Sequence, residues 1–349
     1  MTQGSKQTFK LELRTSSYRR SDSLVEAQLD NAQLRQLFDE KGQDYFSLQR
    51  AGEALPKTFQ LEADGDELKL YLVLEGEVDA NSSFAYELVS DGGGTTGYPP
   101  VSVKERPDYQ GQDSFEISTP AATYIYHKQG AGFASMIDTD GHDWLSYRPH
   151  GGSDGKYRGI PNLVYPEGYF HPGGTECKSE VTKQGPLKAE IYSETKDGNW
   201  ACKWEVFPHF ARLTVLKAPK AYWFLYEGTP GGELDEANDF CVRSGGERSP
   251  ASERWDAPLP EPRWVYFGAG NAERVLYLHH HEAGQGTDSY WPMENNMTVF
   301  GFGRLKLESY LTSAPAQFTV GFLETQNAEQ VQGFLRTLGA PISCDISIT

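Results

Sequence analysis

The sequence predicts an all-β protein, in which a smaller β module precedes a large antiparallel β-sandwich and one helix follows near the C-terminus. Aromatic residues make up 13% of the chain, beside 36 glycines and 20 prolines. This composition is typical of short strands joined by tight turns. Segments rich in aromatic and β-branched residues, such as TYIYHK, WACKWEVF and RVLYLHHH, recur between turn residues, as expected of a sandwich.

Two segments of the N-terminal module show the alternation of a half-buried strand. Apolar and polar residues alternate in Thr8–Leu13 and again in Glu67–Gly76, so that one side of each strand is apolar. Between them we expect Asp30 to cap a short helix that buries Leu34 and Leu37.

A stretch dense in Gly, Pro and Asp near 92–114 separates the module from the rest of the chain. Such a composition disfavours regular elements, so we place a domain boundary there. The predicted parts are an N-terminal β module at 1–92, a linker or long loop at 93–114, and the sandwich at 115–349.

Three consecutive antiparallel strands are predicted at Lys178–Lys183, Lys188–Thr195 and Trp200–Phe207, because KQGP and KDGN between them have hairpin chemistry. Cys177 and Cys202 then lie on either side of the middle strand, which disfavours a direct disulfide. The four cysteines form no CxxC pair, so a structural zinc site of the usual spacing is not expected.

The C-terminal helix has its own start and stop signals. Asn327 is the expected N-cap, Gln330 takes the capping-box position and Gly339 follows the helix. We expect the helix to pack on the sandwich edge. Its apolar face is formed by Val331, Phe334, Leu335 and Leu338.

Charge and hydropathy exclude two classes of partner. The 349 residues include 32 Lys and Arg against 49 Asp and Glu, a net charge of -17, which repels nucleic-acid phosphates. The mean hydropathy is -0.58, and no apolar run approaches the roughly 20 residues of a membrane helix. We therefore expect no nucleic-acid and no membrane partner.

The densest cluster of functional side chains lies in the Gly-rich stretch from Asp138 to Glu176. Loops held by a β scaffold commonly carry binding and catalytic groups, and Arg, His and Tyr together supply proton transfer and anion recognition. The alternative is a surface loop whose aromatic residues pack on themselves. The candidates are Trp144, Arg148, His150, Tyr157, Arg158, Tyr169 and His171.

The LYLHHHE segment is a second candidate site. In a strand, His279 and His281 share one face and can hold one metal ion, with Asp288 as a further ligand. The alternative is hydrogen-bonded or pocket-lining histidines, with His280 on the opposite face. No cofactor is firmly implied; zinc or calcium is the divalent ion considered.

Glu227 ends an aromatic strand, YWFLYEG, at a Gly-Pro turn. Aromatic surroundings disfavour the charged carboxylate and raise its pKa, as a general acid requires. Glu227 can equally pair with a buried arginine. With Asp140, Asp143 or Asp288 as a second carboxylate, a glycosidase pair is conceivable.

Tyr290 and Trp291 stand beside Pro292 and are predicted to form a flat platform for a sugar ring. Trp144 is a further candidate for such stacking. For Trp204 and Trp223, which lie within strands, core packing is the preferred interpretation.

The segment from about 116 to 325 resembles the β-supersandwich of galactose-mutarotase-like proteins and related carbohydrate-active enzymes. The resemblance rests on CKSEVTKQGPLKAEIYSET followed by WACKWEVFPHFARLTVLKA. It implies a carbohydrate-handling sandwich, in some relatives a polysaccharide lyase with an additional N-terminal β module.

The resemblance to lyases implies β-elimination on a uronate-containing glycan. Such an enzyme needs a cation at the substrate carboxylate, a base and an acid. Arg158 is the candidate cation, His171 or His280 the base, and Tyr169 or Tyr290 the acid. Arg148, His150, Tyr157, Trp144, Tyr290, Trp291 and Asp288 are the candidate substrate-binding residues.

Two alternatives stay open beside the lyase. One is a glycoside hydrolase that uses Glu227 and an aspartate, and the other is a non-catalytic glycan-binding protein. In each case the partner is a polysaccharide or oligosaccharide. Because such polymers are met outside the cytosol, we expect a secreted or periplasmic protein.

Overall fold

The computed structural model describes residues 6–93, 101–149, 158–283, 286–293, 296–340 and 342–348. It confirms the predicted all-β class, since the described residues form antiparallel sheets and two helices, α1 (Ala32–Lys41) and α2 (Ala328–Thr337). Neither helix is long and apolar enough to cross a membrane. The strands are β1 (Thr8–Arg14), β2 (Arg20–Gln28), β3 (Phe46–Arg50), β4 (Pro56–Lys57), β5 (Phe59–Asp64), β6 (Glu67–Val78), β7 (Ser83–Ser90), β8 (Ser102–Tyr109), β9 (Gln112–Ser118), β10 (Ala122–His127), β11 (Gly132–Asp138), β12 (Cys177–Gln184), β13 (Ala189–Thr195), β14 (Ala201–Val206), β15 (Phe210–Lys217), β16 (Phe224–Gly228), β17 (Phe240–Arg243), β18 (Arg248–Pro250), β19 (Trp255–Ala257), β20 (Arg263–Gly268), β21 (Val275–His280), β22 (Asp288–Met293), β23 (Met297–Phe302), β24 (Arg304–Leu305), β25 (Glu308–Ser309), β26 (Ala316–Leu323) and β27 (Ser343–Ile348).

The chain divides into two compact units. The first comprises Met1–Pro100, Gly185–Leu187 and Glu329–Thr349. Its strands form one sheet in the order β27-β1-β7-β3-β4 and a second in the order β2-β6-β5. Apolar residues from both sheets share one core, which is the arrangement that the alternating patterns of β1 and β6 predict.

Helix α1 begins one residue later than predicted. Asn31, not Asp30, is the N-cap, and its side-chain oxygen accepts a hydrogen bond from the Leu34 backbone N–H at 2.9 Å. An N-cap oxygen satisfies a backbone donor of the first turn. Leu34 is fully buried, whereas Leu37 is only partly buried.

The C-terminal segment belongs to the first unit, although its helix lies where the sequence places it. Val331 and Leu335 of α2 are buried, but α2 from Glu329 onward clusters with the N-terminal strands. Strand β27 pairs antiparallel with β1, and Leu11 lies opposite Ile346. Strand β27 thus completes the first unit's sheet, and the packing of α2 on the sandwich edge stays a prediction.

The predicted linker contains regular structure. Strand β8 and the start of β9 lie within 101–114 and pair antiparallel, with a register shift between Arg106 and Tyr109. They belong to the second unit, which comprises Val101–Gln184 and Lys188–Ala328. Part of the stretch rich in Gly, Pro and Asp thus forms the turn and the irregular section of a β-hairpin.

The second unit is a sandwich built on a nine-stranded sheet. Its order is β12-β13-β14-β15-β26-β21-β20-β17-β18, and two four-stranded sheets are ordered β11-β10-β9-β8 and β16-β23-β22-β19. The ring centroids of Phe133 and Trp204 lie 4.5 Å apart, and those of Phe224 and Phe318 lie 4.4 Å apart. Both four-stranded sheets therefore share a core with the large sheet.

The meander from β12 to β14 forms as predicted. Ser193 of β13 lies opposite both Ser179 of β12 and Cys202 of β14. Cys177 and Cys202 are both buried and free. Strand β13 keeps them on non-adjacent strands, as the hairpin chemistry implied.

Candidate functional site

A small cavity of about 180 Å³ lies on one face of the sheet β16-β23-β22-β19. Glu227 of β16 and Trp291 of β22 both lie opposite Val299 of the intervening strand β23. The three residues thus form one cross-strand row, whose side chains point to the same face. The cavity is lined by Asn162, Tyr165, Trp223, Leu225, Glu227, Trp291, Met293, Val299, Arg304 and Leu307.

The two-residue period of β16 explains how Glu227 reaches this cavity. Phe224 and Tyr226 are part of the sandwich core, whereas Leu225 and Glu227 line the cavity. Successive side chains of a strand point to opposite faces. Glu227 is therefore held on a rigid strand, which fixes its carboxyl group more firmly than a loop would.

The loop after Arg158 runs along the outer edge of β16 and brings Asn162 to the site. Gly159 exchanges two backbone hydrogen bonds with Glu227, of 2.6 and 3.1 Å, and the Leu225 N–H donates to the Asn162 carbonyl at 3.2 Å. These bonds satisfy the edge strand. The Asn162 Nδ2 lies 3.4 and 3.5 Å from the two carboxyl oxygens of Glu227.

Glu227 and His171 form a buried acid–base pair. The His171 Nε2 lies 3.0 Å from the Glu227 Oε2, and the two side chains are 5% and 2% exposed. Burial raises the pKa of Glu227, and the hydrogen bond and charge of His171 oppose this rise. The pair therefore holds a proton between an imidazole and a carboxyl group in a largely dry environment.

Arg304 places a guanidinium group against the aromatic wall. Its Cζ lies 4.5 Å from the Trp291 ring centroid and 5.4 Å from that of Trp223, within the range of cation–π attraction. The Nε donates to the Lys306 carbonyl at 2.8 Å. Burial lowers the pKa of Arg304, and the nearby Glu227 opposes this shift.

Gly301 makes this close packing feasible. A Cβ atom there would lie 2.4 Å from the Leu225 Cδ2 and 3.0 Å from the Arg304 Cβ. The cavity face of β23 therefore has room for the arginine only because position 301 lacks a side chain.

Three polar atoms of the cavity residues are buried without a hydrogen-bond partner in the described part of the chain. They are the Arg304 Nη1, the Asn162 Oδ1 and the Trp223 Nε1. Two donors and one acceptor of residues that line the cavity thus lack a protein partner, and a ligand that reached them with both kinds of group would satisfy them. On the rim, Tyr165 is 41% and Leu307 69% exposed, so the cavity has a boundary with solvent.

The structure does not bring Arg158 to this cavity. Its Nη1 donates to the Ser146 carbonyl at 3.0 Å, and its Nη2 donates to the Asn296 Oδ1 at 2.9 Å. The side chain is almost fully buried. The bidentate contact with a substrate carboxylate stays a prediction, since Nη1 and Nη2 bind protein oxygens in this structure.

Three predicted aromatic contacts also lie elsewhere. The Trp144 Nε1 donates to the Asp138 carboxylate at 2.9 Å, and the Tyr290 hydroxyl donates to the Ala251 carbonyl at 2.6 Å. Both rings are core residues and do not line the cavity, and the platform and acid roles expected of them stay predictions. Tyr169 is half-buried near Trp200 and does not line the cavity.

The three aspartates considered as partners of Glu227 are used in other contacts. Asp140 pairs with Arg274, and Asp143 accepts backbone N–H groups through one oxygen. Asp288 pairs with Arg263 at 2.5 Å in the core. Among the described residues that line the cavity, Glu227 is the one carboxylic acid.

The three consecutive histidines lie on β21 and just after it, and none of them lines the Glu227 cavity. His279 and His281 have ring centroids 4.4 Å apart, and burial lowers their pKa values to about 4 and about 3. Within the described ranges, no group of three or more His, Cys, Asp or Glu is arranged to hold a metal ion. Because Asp288 is paired with Arg263, it is not their third ligand, and the metal site stays a prediction.

Arg148 is not among the described residues that line the cavity. Arg148 is exposed and raises the local positive charge near Arg158. His150 and Tyr157 lie outside the described residues.

Asn162, Arg304 and Trp223 are among the cavity residues that sequence reasoning missed. Asn162 and Arg304 have no motif around them, and Trp223 was interpreted as a core residue. Trp223 does pack in a small apolar cluster with Leu225 and Val299, but that cluster is the cavity floor. The signal present in the sequence was the two-residue spacing of Trp223, Leu225 and Glu227 in YWFLYEG.

Comparisons with known proteins identify a fold and no family. No family model and no curated protein matches the chain. A glycosyl hydrolase family 38 protein from Enterococcus faecalis has a TM-score of 0.54 and 10% identity over 97% of this chain and 47% of its own. An α-mannosidase from Enterococcus faecalis V583 has a TM-score of 0.52 and 10% identity over 97% and 46%. The chain thus spans less than half the length of these two proteins, and the likeness shows the fold alone.

Proposed function

We propose that the protein is a carbohydrate-active enzyme that binds one sugar unit in the Glu227 cavity. The observation that carries the proposal is the buried Glu227–His171 pair, 3.0 Å apart, at a cavity walled by two tryptophans. Tryptophan rings offer flat apolar faces to sugar rings. Glu227, Asn162 and Arg304 offer hydrogen bonds to hydroxyl or carboxylate groups.

The size of the cavity supports a single unit. Its volume of about 180 Å³ lies below the roughly 300 Å³ at which pockets for drug-sized ligands begin. Exposed Tyr165 and Leu307 at the rim leave room for the rest of a glycan outside.

The reaction that these residues fit best is β-elimination on a uronate unit. Arg304, with its unpartnered Nη1, takes the role proposed for Arg158 and binds the uronate carboxylate, which stabilises negative charge developing at C5. The Glu227–His171 pair accepts the C5 proton. The electron pair forms the C4–C5 double bond, the C4–O bond breaks, and a proton from Tyr165 or the pair reaches the leaving oxygen.

Hydrolysis is the second candidate, because the raised pKa of Glu227 suits a general acid. Retaining and inverting glycosidases generally need two carboxyl groups. The described residues of the cavity supply one, so hydrolysis would need a second carboxyl group from another part of the chain.

The solved structures of similar fold add support for the broader part of the proposal. Two of them are a glycosyl hydrolase family 38 protein and an α-mannosidase. A carbohydrate substrate for this chain would agree with that similarity of fold. We also propose that the protein is related to galactose-mutarotase-like proteins or polysaccharide lyases. The same proposal includes that the protein acts outside the cytosol.

The deciding experiment incubates the protein with a panel of uronate-containing polysaccharides and follows two signals, the ultraviolet absorbance of unsaturated uronate and the number of new reducing ends. Elimination raises both, and hydrolysis raises only reducing ends. Glu227→Gln should remove either activity, whereas Glu233→Gln, which changes an exposed carboxylate nearby in sequence, should keep it. Activity that survives Glu227→Gln would overturn the assignment of this site.

A further inference from the structure

A second cavity in the sandwich unit has a volume of about 490 Å³. This volume lies within the roughly 300–1,000 Å³ typical of ligand pockets. The proposed reaction uses none of its residues. It is lined by Tyr222, His280, Glu282, Ala283, Gly286, Tyr310, Leu311, Thr312, Ser313 and Ala316.

A buried chain of charged and polar groups ends at this cavity. Asp288, fully buried, pairs with the Arg263 Nη2 at 2.5 Å, and the Arg263 Nη1 lies 2.9 Å from the His280 Nδ1. A guanidinium group can only donate. The His280 Nδ1 must therefore accept, and its proton lies on Nε2. The ring is fixed by stacking on Phe318 at 4.6 Å.

The orientation of His280 determines how it meets Glu282. Its Nε2 lies 3.3 Å from the Glu282 Oε2. Both Glu282 oxygens lie 2.8 Å from the Gln317 N–H. No lysine or arginine of the described residues forms an ion pair with Glu282, whose side chain is 30% exposed. The cavity wall thus carries a carboxylate that no lysine or arginine of the described residues neutralises.

The other polar groups of the wall add acceptors. The Ser313 carbonyl accepts from the Tyr222 hydroxyl at 2.7 Å and keeps a second lone pair. The Tyr310 hydroxyl donates to Glu308 at 2.5 Å, so its proton is used and its lone pairs remain. A ligand that matches this wall must donate hydrogen bonds.

We propose that the Glu282 cavity is a second sugar site, which binds a donor group with Glu282 as the acceptor and His280 as its positioning residue. Adjacent hydroxyls of a neutral sugar and the ammonium group of an amino sugar share this chemistry. That the donor belongs to a sugar rests on the proposed function. The hairpin of β24 and β25 borders both cavities, since Arg304 and Leu307 line the first and Tyr310 and Leu311 the second.

The test measures binding of glucose, glucosamine and N-acetylglucosamine to the full chain by ligand-observed NMR and calorimetry, in a Glu227→Gln background that blocks turnover. Glu282→Gln should weaken binding about tenfold or more, because a charge-assisted hydrogen bond is lost. Tyr310→Ala, at a half-exposed ring, should also weaken it. Glu233→Gln is the matched control. Preference for glucosamine over the other two identifies the ammonium group, and equal affinities identify the hydroxyls.

Absence of binding by all three sugars would overturn the proposal, as would unchanged affinity in a Glu282→Gln protein with unaltered melting temperature. These outcomes are separable from a failure of the first site. If Glu282→Gln alters sugar binding but no polysaccharide is cleaved, the elimination proposal fails and the second site stands. If eliminative cleavage occurs and Glu282→Gln does not alter sugar binding, the elimination proposal stands and the second site fails.

Discussion

The His171 Nε2 and the Glu227 Oε2 lie 3.0 Å apart, although 56 residues separate them in the chain. Glu227 is fixed by the pairing of β16 with β23, and His171 comes from the loop that precedes β12. The contact joins the Glu227 carboxyl group, whose pKa is raised by burial, to the His171 imidazole. A proton can pass between these two groups. The contact is the geometric basis of the chemistry proposed for this protein.

Glu227→Gln should lower turnover of the active polysaccharide by about 10²–10⁴-fold, the usual contribution of general acid–base catalysis. Glutamine keeps the size of the side chain and can still bond to His171. Initial rates and substrate affinity measured together would separate catalysis from binding. A loss of affinity with an unchanged maximal rate would show that Glu227 only binds.

The same substitution should change how stability depends on pH. Because burial raises the folded-state pKa of Glu227 above its ordinary 4.5, its favourable contribution is complete below about pH 4.5 and is lost as pH rises through the folded value. Glu227→Gln should therefore gain stability relative to the wild type as pH rises across that window. Urea unfolding of both proteins from acid to neutral pH measures the difference, and a constant offset would contradict it.

Trp291→Ala should weaken sugar binding while leaving the fold intact, since Trp291 lines the cavity and is partly exposed. Tyr290→Phe should instead leave binding unchanged. It should lower the free energy of unfolding by about 1 kcal/mol, because phenylalanine lacks the hydroxyl that donates to the Ala251 carbonyl. Sugar titrations and denaturant unfolding of both variants check the contrast, which would fail if Tyr290→Phe reduced affinity.

Arg304→Lys should weaken binding of uronate but not of the matching neutral sugar, since lysine cannot reproduce the fork geometry of a guanidinium group. Arg158→Lys should instead destabilise the protein by about 1–3 kcal/mol, because its bonds to Ser146 and Asn296 are buried. Its folded fraction should retain uronate affinity. Calorimetric titration with both sugars, beside thermal melts, distinguishes the roles, and a selective uronate defect in Arg158→Lys would reverse them.

His279→Phe should stabilise the protein. Both ring nitrogens of His279 are buried without a partner among the described residues, so an apolar ring removes a desolvation cost of about 1 kcal/mol or more at neutral pH. Burial lowers the pKa of His279 from 6.5 to about 4. The part of the stability that depends on a neutral His279 is complete above pH 6.5. It is lost as pH falls towards 4, by about 3 kcal/mol at most.

His279→Phe should therefore also lose less stability than the wild type on acidification through this window. The matched variant is His281→Phe, which forfeits the bond to the Thr319 hydroxyl and should gain less at neutral pH. Chemical unfolding between pH 4 and 7 gives both comparisons. If His279→Phe unfolds more easily than the wild type, the prediction is wrong and His279 makes an interaction that the structure does not show.

Local patterns predicted the strands well. The alternation in Thr8–Arg14 and the turn residues between β12, β13 and β14 are properties of consecutive residues, so one sequence suffices to recognise them. The cap of α1 was displaced by one residue because Asp30 and Asn31 are both suitable N-caps. The membership of β27 in the first unit could not be predicted, because its partner β1 lies more than 300 residues earlier in the printed sequence.

The sequence by itself determined the antiparallel β architecture and singled out Glu227, His171 and Trp291 by their chemistry. Only the tertiary structure decided which of the candidates meet. Tyr290 and Trp291 are neighbours in the chain, yet one lies in the core and the other at the cavity, because successive strand residues face opposite sides. Which parity faces the cavity depends on strand pairing across the sheet. Arg304 and Asn162 join Glu227 through that pairing and through a loop at the sheet edge, and neither is encoded in local sequence spacing.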